Sequence, residues 1–562
     1  MPYPIKYIEN NLVWNIEGAC FAYYELIPFN YSFLSLEQKD AVHDAFRQLI
    51  AQNRDGKIHA LQISTESSIR AAQERSKKSV TGRLKEIACA EIDEQTENLV
   101  ASLGDTQVDY RFFLGFKLVV TDKELSVKEM GKTAKNLLHD AANAIGHSFM
   151  GDFVSVPNDE IRRYSRMEKL MENKLSRRFK VRRLNKNAVG YLLEHIYGRT
   201  GTAYENFEFT LPLKKRKSDT LVKRYDLIKP ARCLIEEKQR YLHMKSENSE
   251  SYVAYFTISD VVGELDFPSS EIFYYQEQQF DFAIDTSMNV EIITNKAALH
   301  TVRNKKKELK DLDNHAWENN SETTNQVAEA LDSVDELESV LDQSKESMYK
   351  LSYVVRVTAP DVEELKRRCN QVRDFYDDAS IKLVRPIGDM MGLHNEFIPA
   401  SKRYMNDYVQ YVTSDFLAGL GFGATQMLGE RDGIYLGYNV DTDQNVYVQP
   451  ARAAQGVKGS VTNALSGAFL GSLGGGKSLS FNLLTYYAVL NGAQALILDP
   501  KSERGLWKEK LPEIADEINI VNLTSDEENK GMLDPYIIMR KTKDAESLAL
   551  DVLTFLTGIS SR

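Results

Sequence analysis

Apolar and polar residues follow two different patterns along the first third of the chain. Nearly continuous apolar and aromatic runs at 18–29 ("GACFAYYELIPF") and 110–120 ("YRFFLGFKLVV") are typical of buried strands. Between them, the segment 37–52 ("EQKDAVHDAFRQLIAQ") repeats apolar residues at helical spacing. The mixture predicts an α+β domain. The chain shows no internal repeat and no low-complexity segment.

The pattern changes around 304–348, where the sequence becomes acidic, proline-free and helical. Apolar residues recur there at steps of three, four or seven and form one stripe: Val327, Leu331, Val334, Leu341 and Met348. With the basic helical segment 304–312 just upstream, this predicts two antiparallel helices. Because the repeat is short, an intramolecular hairpin is favoured over a dimerising coiled coil.

The next elements complete an N-terminal domain, which we predict to span 1–400. The run 351–360 ("LSYVVRVTAP") is typical of a strand, and Asp361 is placed to cap the helix that follows it. A second domain, 401–562, then begins. Its segment 431–450 contains two short strands joined by a turn-rich "DTDQN", which predicts a β-hairpin.

A glycine-rich stretch follows that hairpin. The octapeptide 471–478 ("GSLGGGKS") fits G-x-x-x-x-G-K-[ST] at every position. A flexible loop without this function could contain the same motif, but the probability of a chance match in a chain of this length is on the order of one in fifty. The residues assigned to the nucleotide site are Gly471, Ser472, Leu473, Gly474, Gly475, Gly476, Lys477 and Ser478.

The flanking sequence favours the functional interpretation. Ala468–Leu470 can end a buried strand, and four apolar residues after the loop fall on one helical face. Asn491 and Gly492 stop that helix, and 493–500 ("AQALILDP") is typical of a second buried strand. The whole segment therefore predicts a β-loop-α-β unit of the kind in which phosphate-binding loops occur.

Each residue type in the motif has a chemical reason. Glycines let successive N–H groups turn inward, and the helix N-terminus adds its positive end to the same pocket. Lys477 supplies a positive charge for the β- and γ-phosphates. Ser478 offers its hydroxyl to Mg²⁺, which bridges those phosphates. We therefore expect ATP and Mg²⁺ to bind at this loop.

Two acidic residues follow the second predicted strand. Asp499 would end that strand at the sheet edge where ligands sit, which places Glu503 near the nucleotide as a candidate catalytic residue. Alternatively, Asp499 caps a turn before Pro500 and Glu503 is solvated. Downstream, no apolar run ends in Asp-Glu, so we expect a motor domain that is cut short at Arg562 and hydrolyses ATP poorly alone.

Composition and charge narrow the class of protein. At 562 residues the chain is longer than one hydrophobic core usually supports, so two or more domains are expected. Four widely spaced cysteines predict neither a zinc site nor a disulfide framework. A reducing, cytosolic setting fits best. No secretory signal is visible, and the uncharged run 478–498 is interrupted at Asn491, so a buried helix and strand are favoured over a membrane span.

The net charge of −11 means that any affinity for nucleic acid has to come from local patches. Two basic clusters, 177–186 ("RRFKVRRLNK") and 214–217 ("KKRK"), are candidates for such patches. Solvated surface is the simpler interpretation. Contact with nucleic acid or with anionic lipid headgroups stays open.

The motor segment 471–505 resembles the CagE/TrbE/VirB family of conjugation and type IV secretion ATPases, with "GIYLGYN" upstream and "GMLDPY" downstream. The likeness is greatest to ConE-type proteins of Gram-positive integrative and conjugative elements, and it extends to the opening 16–35 ("IEGACFAYYELIPFNYSFLS"). The family's ATP-site positions fall here on Gly471, Gly474, Gly475, Gly476, Lys477 and Ser478.

This resemblance implies a particular architecture and function. The N-terminal α+β domain with its helical hairpin would precede the start of a RecA-like P-loop NTPase domain whose C-terminal part is missing, an α/β chain overall. ATP hydrolysis in a hexamer at the inner face of the cell membrane would energise channel assembly or substrate transfer. The implied partners are membrane proteins of the channel, a coupling protein or relaxase–DNA complex, and single-stranded DNA.

Two other functions stay open at this stage. A DNA-pumping ATPase of the FtsK or HerA kind shares the βαβ core, although the large N-terminal region without a membrane span favours the secretion ATPase. A scaffold that binds nucleotide without turnover is the non-enzymatic alternative. An apolar strand ending in Asp-Glu farther along would decide for a motor.

Overall fold

The computed structural model describes residues 3–53, 56–104, 106–119, 153–198, 204, 207–247, 249–261, 267–318, 325–442, 444–455, 466–522, 531 and 533–558. The chain divides into two compact units. The larger contains Met1–Ser79 and Glu91–Leu484, and the smaller contains Val80–Ala90 and Thr485–Arg562. The division that we predicted at residue 400 stays a prediction.

The larger unit holds all the strands that the structure describes. They are β1 (Ile5–Glu9), β2 (Leu12–Asn15), β3 (Cys20–Leu26), β4 (Phe29–Asn30), β5 (Lys57–Ser68), β6 (Thr106–Lys117), β7 (Phe153–Pro157), β8 (Val181–Arg183), β9 (Leu213–Lys215), β10 (Asp219–Lys223), β11 (Leu234–Glu237), β12 (Leu242–Lys245), β13 (Glu250–Val261), β14 (Ile284–Ile293), β15 (Met348–Ala359), β16 (Ile381–Val384), β17 (Gln410–Val412), β18 (Ala424–Thr425), β19 (Ile434–Tyr438) and β20 (Asn445–Val448).

The described α-helices run through both units. They are α1 (Leu36–Ala51), α2 (Ile69–Ser79), α3 (Lys85–Leu103), α4 (Asn158–Leu175), α5 (Lys186–Gly198), α6 (Arg224–Ile228), α7 (Ile272–Gln279), α8 (Asn295–Glu318), α9 (Asn325–Ser344), α10 (Val362–Asp378), α11 (Met390–Asn395), α12 (Ser414–Gly419), α13 (Arg452–Gln455), α14 (Lys477–Leu490), α15 (Trp507–Lys510), α16 (Pro535–Ile538) and α17 (Thr542–Thr557).

A large antiparallel sheet organises the first unit, and the chain as a whole is mixed α/β. Its strand order is β1-β2-β3-β6-β5-β14-β15-β13-β12-β11, with β8, β16 and β17 paired at its sides. Strand β3 is buried at every position and β15 at all but Lys350. When side chains on both faces of a strand are covered, its sequence is a continuous apolar run rather than an alternating one. This burial explains the apolar run at 18–29.

Several helices begin where a side chain satisfies their free N–H groups. Ser35 and Gln38 form a capping box at the start of α1, in which each side chain bonds the backbone of the other. Asp361 accepts a bond of 2.8 Å from the N–H of Glu364 at the start of α10. The predicted cap at Asp361 is thereby confirmed.

The sheet has an internal duplication of topology. Its first half is β3-α1-β5-α2-α3-β6, and its second half is β13-α7-β14-α8-α9-β15. Each half is a strand, a helix, a strand, a pair of helices and a strand. The sheet order within the halves is β3-β6-β5 and β14-β15-β13, so the halves meet at the antiparallel pair β5–β14. An approximate two-fold axis perpendicular to the sheet would generate this order.

The helical hairpin of the second half lies close to the segment predicted at 304–348. Helices α8 and α9 run antiparallel, with Arg303 paired to Glu338 at 2.8 Å and Lys306 to Asp335 at 2.7 Å. The pair starts at Asn295, nine residues before the predicted start, and α9 ends at Ser344. Met348 was assigned to the helical stripe, but it is the first residue of β15.

A buried polar cluster lies at the junction of the two halves. Asp285 of β14 accepts hydrogen bonds from the N–H (2.7 Å) and the hydroxyl (2.6 Å) of Ser64 on β5. Its other oxygen lies 3.1 Å from the guanidinium of Arg356 on β15 and 3.1 Å from Nε2 of His195 on α5. Arg356 has no exposed side-chain surface, so its charge depends on Asp285.

We predict that Asp285→Ala destabilises the protein strongly. The change leaves the Arg356 guanidinium buried without its carboxylate, which typically costs about 3–5 kcal/mol. Glu338→Ala is the matched control, because it removes a carboxylate that pairs with basic residues at the surface. Chemical denaturation should show a much lower midpoint for the first variant only. Equal midpoints for the two variants would contradict the role given to Asp285.

The candidate nucleotide loop and its surroundings

The glycine-rich loop has a backbone that only glycine adopts easily. Gly474 and Gly476 both have φ of +79°, in the left-handed region that residues with a Cβ rarely occupy. No other heavy atom lies within 4 Å of a Cβ built at either position. Backbone conformation, rather than crowding, is therefore the reason for these two glycines.

The loop is closed by bonds to one carbonyl. The carbonyl oxygen of Ser472 accepts from the N–H of Gly475 at 3.2 Å and from the ammonium of Lys477 at 2.6 Å. Helix α14 then begins at Lys477, and the N–H of Ser480 bonds the carbonyl of Gly476 at 2.9 Å. Lys477 thus folds back over the loop that precedes it.

The residues of the loop fit a triphosphate with Mg²⁺. Residues 471–476 are exposed, and the first N–H groups of an α-helix have no partner within the helix. A Cβ added at Gly475 would come within 3.2 Å of the carbonyl oxygen of Ser472, so side chains larger than hydrogen would crowd the turn. The N–H groups of 474 and 476–478 and the Lys477 ammonium would hold phosphate oxygens, and the exposed Ser478 would hold Mg²⁺.

The helix after the loop ends where the sequence predicts. The N–H of Ala493 bonds the carbonyl of Ala488 at 3.0 Å, and the N–H of Gly492 bonds that of Val489 at 2.9 Å. These two bonds form a Schellman motif, with Gly492 at φ of +97° as its left-handed residue. The predicted stop at Asn491 and Gly492 is confirmed.

Comparison with known sequences places the loop inside a known type of domain. Residues 444–562 match the sequence profile of an AAA-like domain. The C-terminal part of the chain contains an AAA-like domain. Over 576 aligned residues the chain is also 20% identical to the uncharacterized protein YddE of Bacillus subtilis (strain 168), covering 97% of this chain and 67% of that protein.

The AAA-like domain differs from the sequence prediction in its strands. Ala468–Leu470 and 493–500 were predicted as buried strands, and this was wrong: neither is a strand, and Leu470 and Leu498 are 90% and 84% exposed. A strand forms only where at least one neighbouring strand pairs with its backbone N–H and C=O groups. Within 466–522 and 533–558 the structure describes no strand that could pair with these two apolar runs.

Asp499 adopts the turn-capping role that was the alternative interpretation. Its carboxylate accepts bonds from the N–H groups of Lys501 at 3.3 Å and Arg504 at 2.9 Å, and it pairs with the Arg504 guanidinium at 3.3 Å. Glu503 lies in the same turn and is exposed. Its catalytic role stays a prediction, whereas Asp499 ends no strand.

The basic cluster 177–186 is partly used within the protein. Arg182 bonds the buried carboxylate of Glu25, with 2.5 Å between Nη2 and Oε2, and Arg183 pairs with Glu168. The cluster 214–217 lies at the edge strand β9, where the Lys214 ammonium is 5.3 Å from the ring centre of Phe153. Among the described helices, none combines the length and apolarity that crossing a bilayer requires.

Glu277 anchors the segment that leads to the AAA-like domain. Its carboxylate accepts from the N–H of Gln426 at 2.6 Å and from the side chain of Gln444 at 3.0 Å. Burial raises the pKa of Glu277 to about 7, and these two amide donors and Arg431 oppose the rise while Asp109 adds to it.

We predict that Glu277 makes stability pH-dependent. Because its native pKa lies above the ordinary value of 4.5, folding favours the protonated form, so its stabilising contribution is complete below pH 4.5 and is lost as the pH rises through about 7. Relative to Glu277→Gln, the wild-type melting temperature should fall by a few degrees between these pH values. A constant difference between the two proteins over that range would contradict this assignment.

Proposed function

We propose that this chain is an ATP-binding motor protein of a conjugative, type IV secretion-like DNA-transfer apparatus. The observation that carries the nucleotide part is the loop before α14, with left-handed Gly474 and Gly476 leading to Lys477 at the helix N-terminus. The match of 444–562 to an AAA-like domain supports an ATPase. The assignment to DNA transfer rests on the resemblance to CagE/TrbE/VirB ATPases.

The loop's own residues account for binding and orientation. Lys477 would exchange its bond to the Ser472 carbonyl for phosphate oxygens, where both partners carry charge and the contact is stronger. The glycine N–H groups and the N-terminus of α14 would hold the phosphate oxygens. Mg²⁺, when bound, neutralises charge that develops on the phosphates during transfer. Glu503 is the candidate for orienting the attacking water, and its exposed carboxylate is accessible to solvent.

We further propose that the chain works as a hexamer, peripherally associated with the inner face of the cell membrane. Membrane proteins of the channel would hold it there, and a coupling protein or a relaxase–DNA complex would deliver the substrate, including single-stranded DNA. In cell fractionation, the protein should leave the membrane fraction when the other transfer proteins are deleted. Persistent membrane association that resists carbonate and high salt in such cells would overturn docking through partners.

The nucleotide site is tested by Lys477→Glu. A carboxylate at this position repels the triphosphate and removes the ammonium contact, so Mg-ATP affinity should fall by at least about tenfold, the size expected for one charged hydrogen bond. Lys508→Glu is the matched control, because Lys508 lies exposed on the short helix α15 and changes the net charge equally. Titration calorimetry with Mg-ATP measures both.

The outcomes separate the competing functions. Equal affinity of the two variants, or no binding by the folded wild type at millimolar nucleotide, would overturn the nucleotide site. Binding with ATP hydrolysis that Glu503→Gln abolishes would support the motor and the role of Glu503. Binding without turnover, under conditions where the transfer apparatus is assembled, would favour a nucleotide-binding scaffold.

A further inference from the structure

The hairpin formed by α2 and α3 is a stiff extension of two central strands. Helix α2 continues directly from β5, and α3 leads into β6. Side chains bridge the two helices along their length, with Gln73 bonded to Gln95 at 3.1 Å and Lys77 paired with Asp93. The base of this hairpin therefore moves with the sheet.

Helix α2 also bonds residues 431–433, which lie before the glycine-rich loop in sequence. The buried hydroxyl of Ser76 accepts from the N–H of Gly433 at 2.8 Å. The guanidinium of Arg75 donates to the carbonyl of Arg431 at 3.0 Å and lies 3.6 Å from the carboxylate of Asp432. Three consecutive residues before β19 are thus held by one turn of α2.

The segment held by α2 is itself tied to its surroundings. Arg431 pairs with Asp109 of β6, and its guanidinium also donates to the carbonyl of Tyr110 at 3.2 Å. On the far side of the β19–β20 hairpin, Arg452 lies 3.2 Å from the carboxylate of Glu430. Residues 430–433 are therefore fixed on the sheet and on α2 together.

The tip of the same hairpin meets the chain after the loop. Residues Val80–Ala90 belong to the compact unit that contains Thr485–Arg562. There, a Cβ added at Gly492 would come within 2.6 Å of the carbonyl oxygen of Thr81, which means that the two backbones already touch. Gly492 is the residue that ends α14, so the tip contacts the end of the helix that begins at Lys477.

We propose that the α2–α3 hairpin transmits nucleotide occupancy of the loop to the large sheet. This inference rests on the proposed nucleotide site. Helix α14 is short and continuous, so a shift at Lys477 also shifts Gly492 at its other end. Because the backbones of Gly492 and Thr81 are in contact, Thr81 has to shift with it. Coupling of this kind is reciprocal: a change at the tip also changes nucleotide affinity.

Amide hydrogen exchange of the full chain with and without Mg-ATP tests this directly. The α8–α9 hairpin is the internal control, because it occupies the equivalent position in the second half of the sheet. Exchange in 69–103 should slow severalfold with nucleotide, while exchange in 295–344 should not change. Nucleotide binding without a change in 69–103, or with equal changes in both hairpins, would overturn the coupling alone. Absence of binding would overturn the nucleotide site, and this inference with it.

A pair of glycine variants tests the reverse direction. Gly492→Ala puts a Cβ against the Thr81 backbone, whereas Gly558→Ala changes a left-handed glycine at the end of α17 that has no atom within 4 Å of the added Cβ. Mg-ATP affinity should fall about tenfold in the first variant and stay unchanged in the second. Equal affinities in two folded variants would overturn the coupling. If Gly492→Ala does not fold, the exchange experiment on the wild type decides.

Discussion

The carboxylate of Asp285 holds the two halves of the large sheet in register. It lies on β14, bonds Ser64 on β5 in the first half, and pairs with Arg356 on the neighbouring strand β15. Because side chains alternate between faces, a slip of one residue would move this charge to the other face of the sheet and leave Arg356 buried alone. The strand pairing at the centre therefore fixes where both helical hairpins leave the sheet.

That constraint extends to segments on either side of the candidate nucleotide loop in sequence. The first hairpin continues β5 and leads into β6, and it bonds Gly433 before the loop through Ser76. Its tip contacts Gly492, at the end of the helix that follows the loop. The hairpin therefore contacts one residue that precedes the loop in sequence and one that follows it. The left-handed backbone of Gly474 and Gly476, in contrast, is a local property of the loop.

Local signals in the sequence predicted local structure well. The left-handed glycines follow from the motif, the end of α14 from Asn491 and Gly492, and the start of α10 from Asp361. The β19–β20 hairpin was predicted from its turn residues, because turn chemistry acts over a few neighbouring residues. The resemblance to transfer ATPases came from similar short segments and remains a proposal.

Features that depend on partners distant in sequence were not predicted. The duplication repeats a topology without repeating residues, since many apolar sequences satisfy the same strand. The Asp285–Arg356 pair joins residues 71 positions apart, and no spacing rule indicates it. The strands predicted near Leu470 and Leu498 failed for the related reason that an apolar run becomes a strand only when other strands pair with it.

A structure of the chain determined with Mg²⁺ and a non-hydrolysable ATP analogue tests the central claim most directly. The account predicts that the triphosphate lies on the N–H groups of 474 and 476–478, that the Lys477 ammonium has left the Ser472 carbonyl for phosphate oxygens, and that the Ser478 hydroxyl contacts the metal. An empty loop at saturating analogue, or a nucleotide held elsewhere with Lys477 still bonded to Ser472, would contradict it.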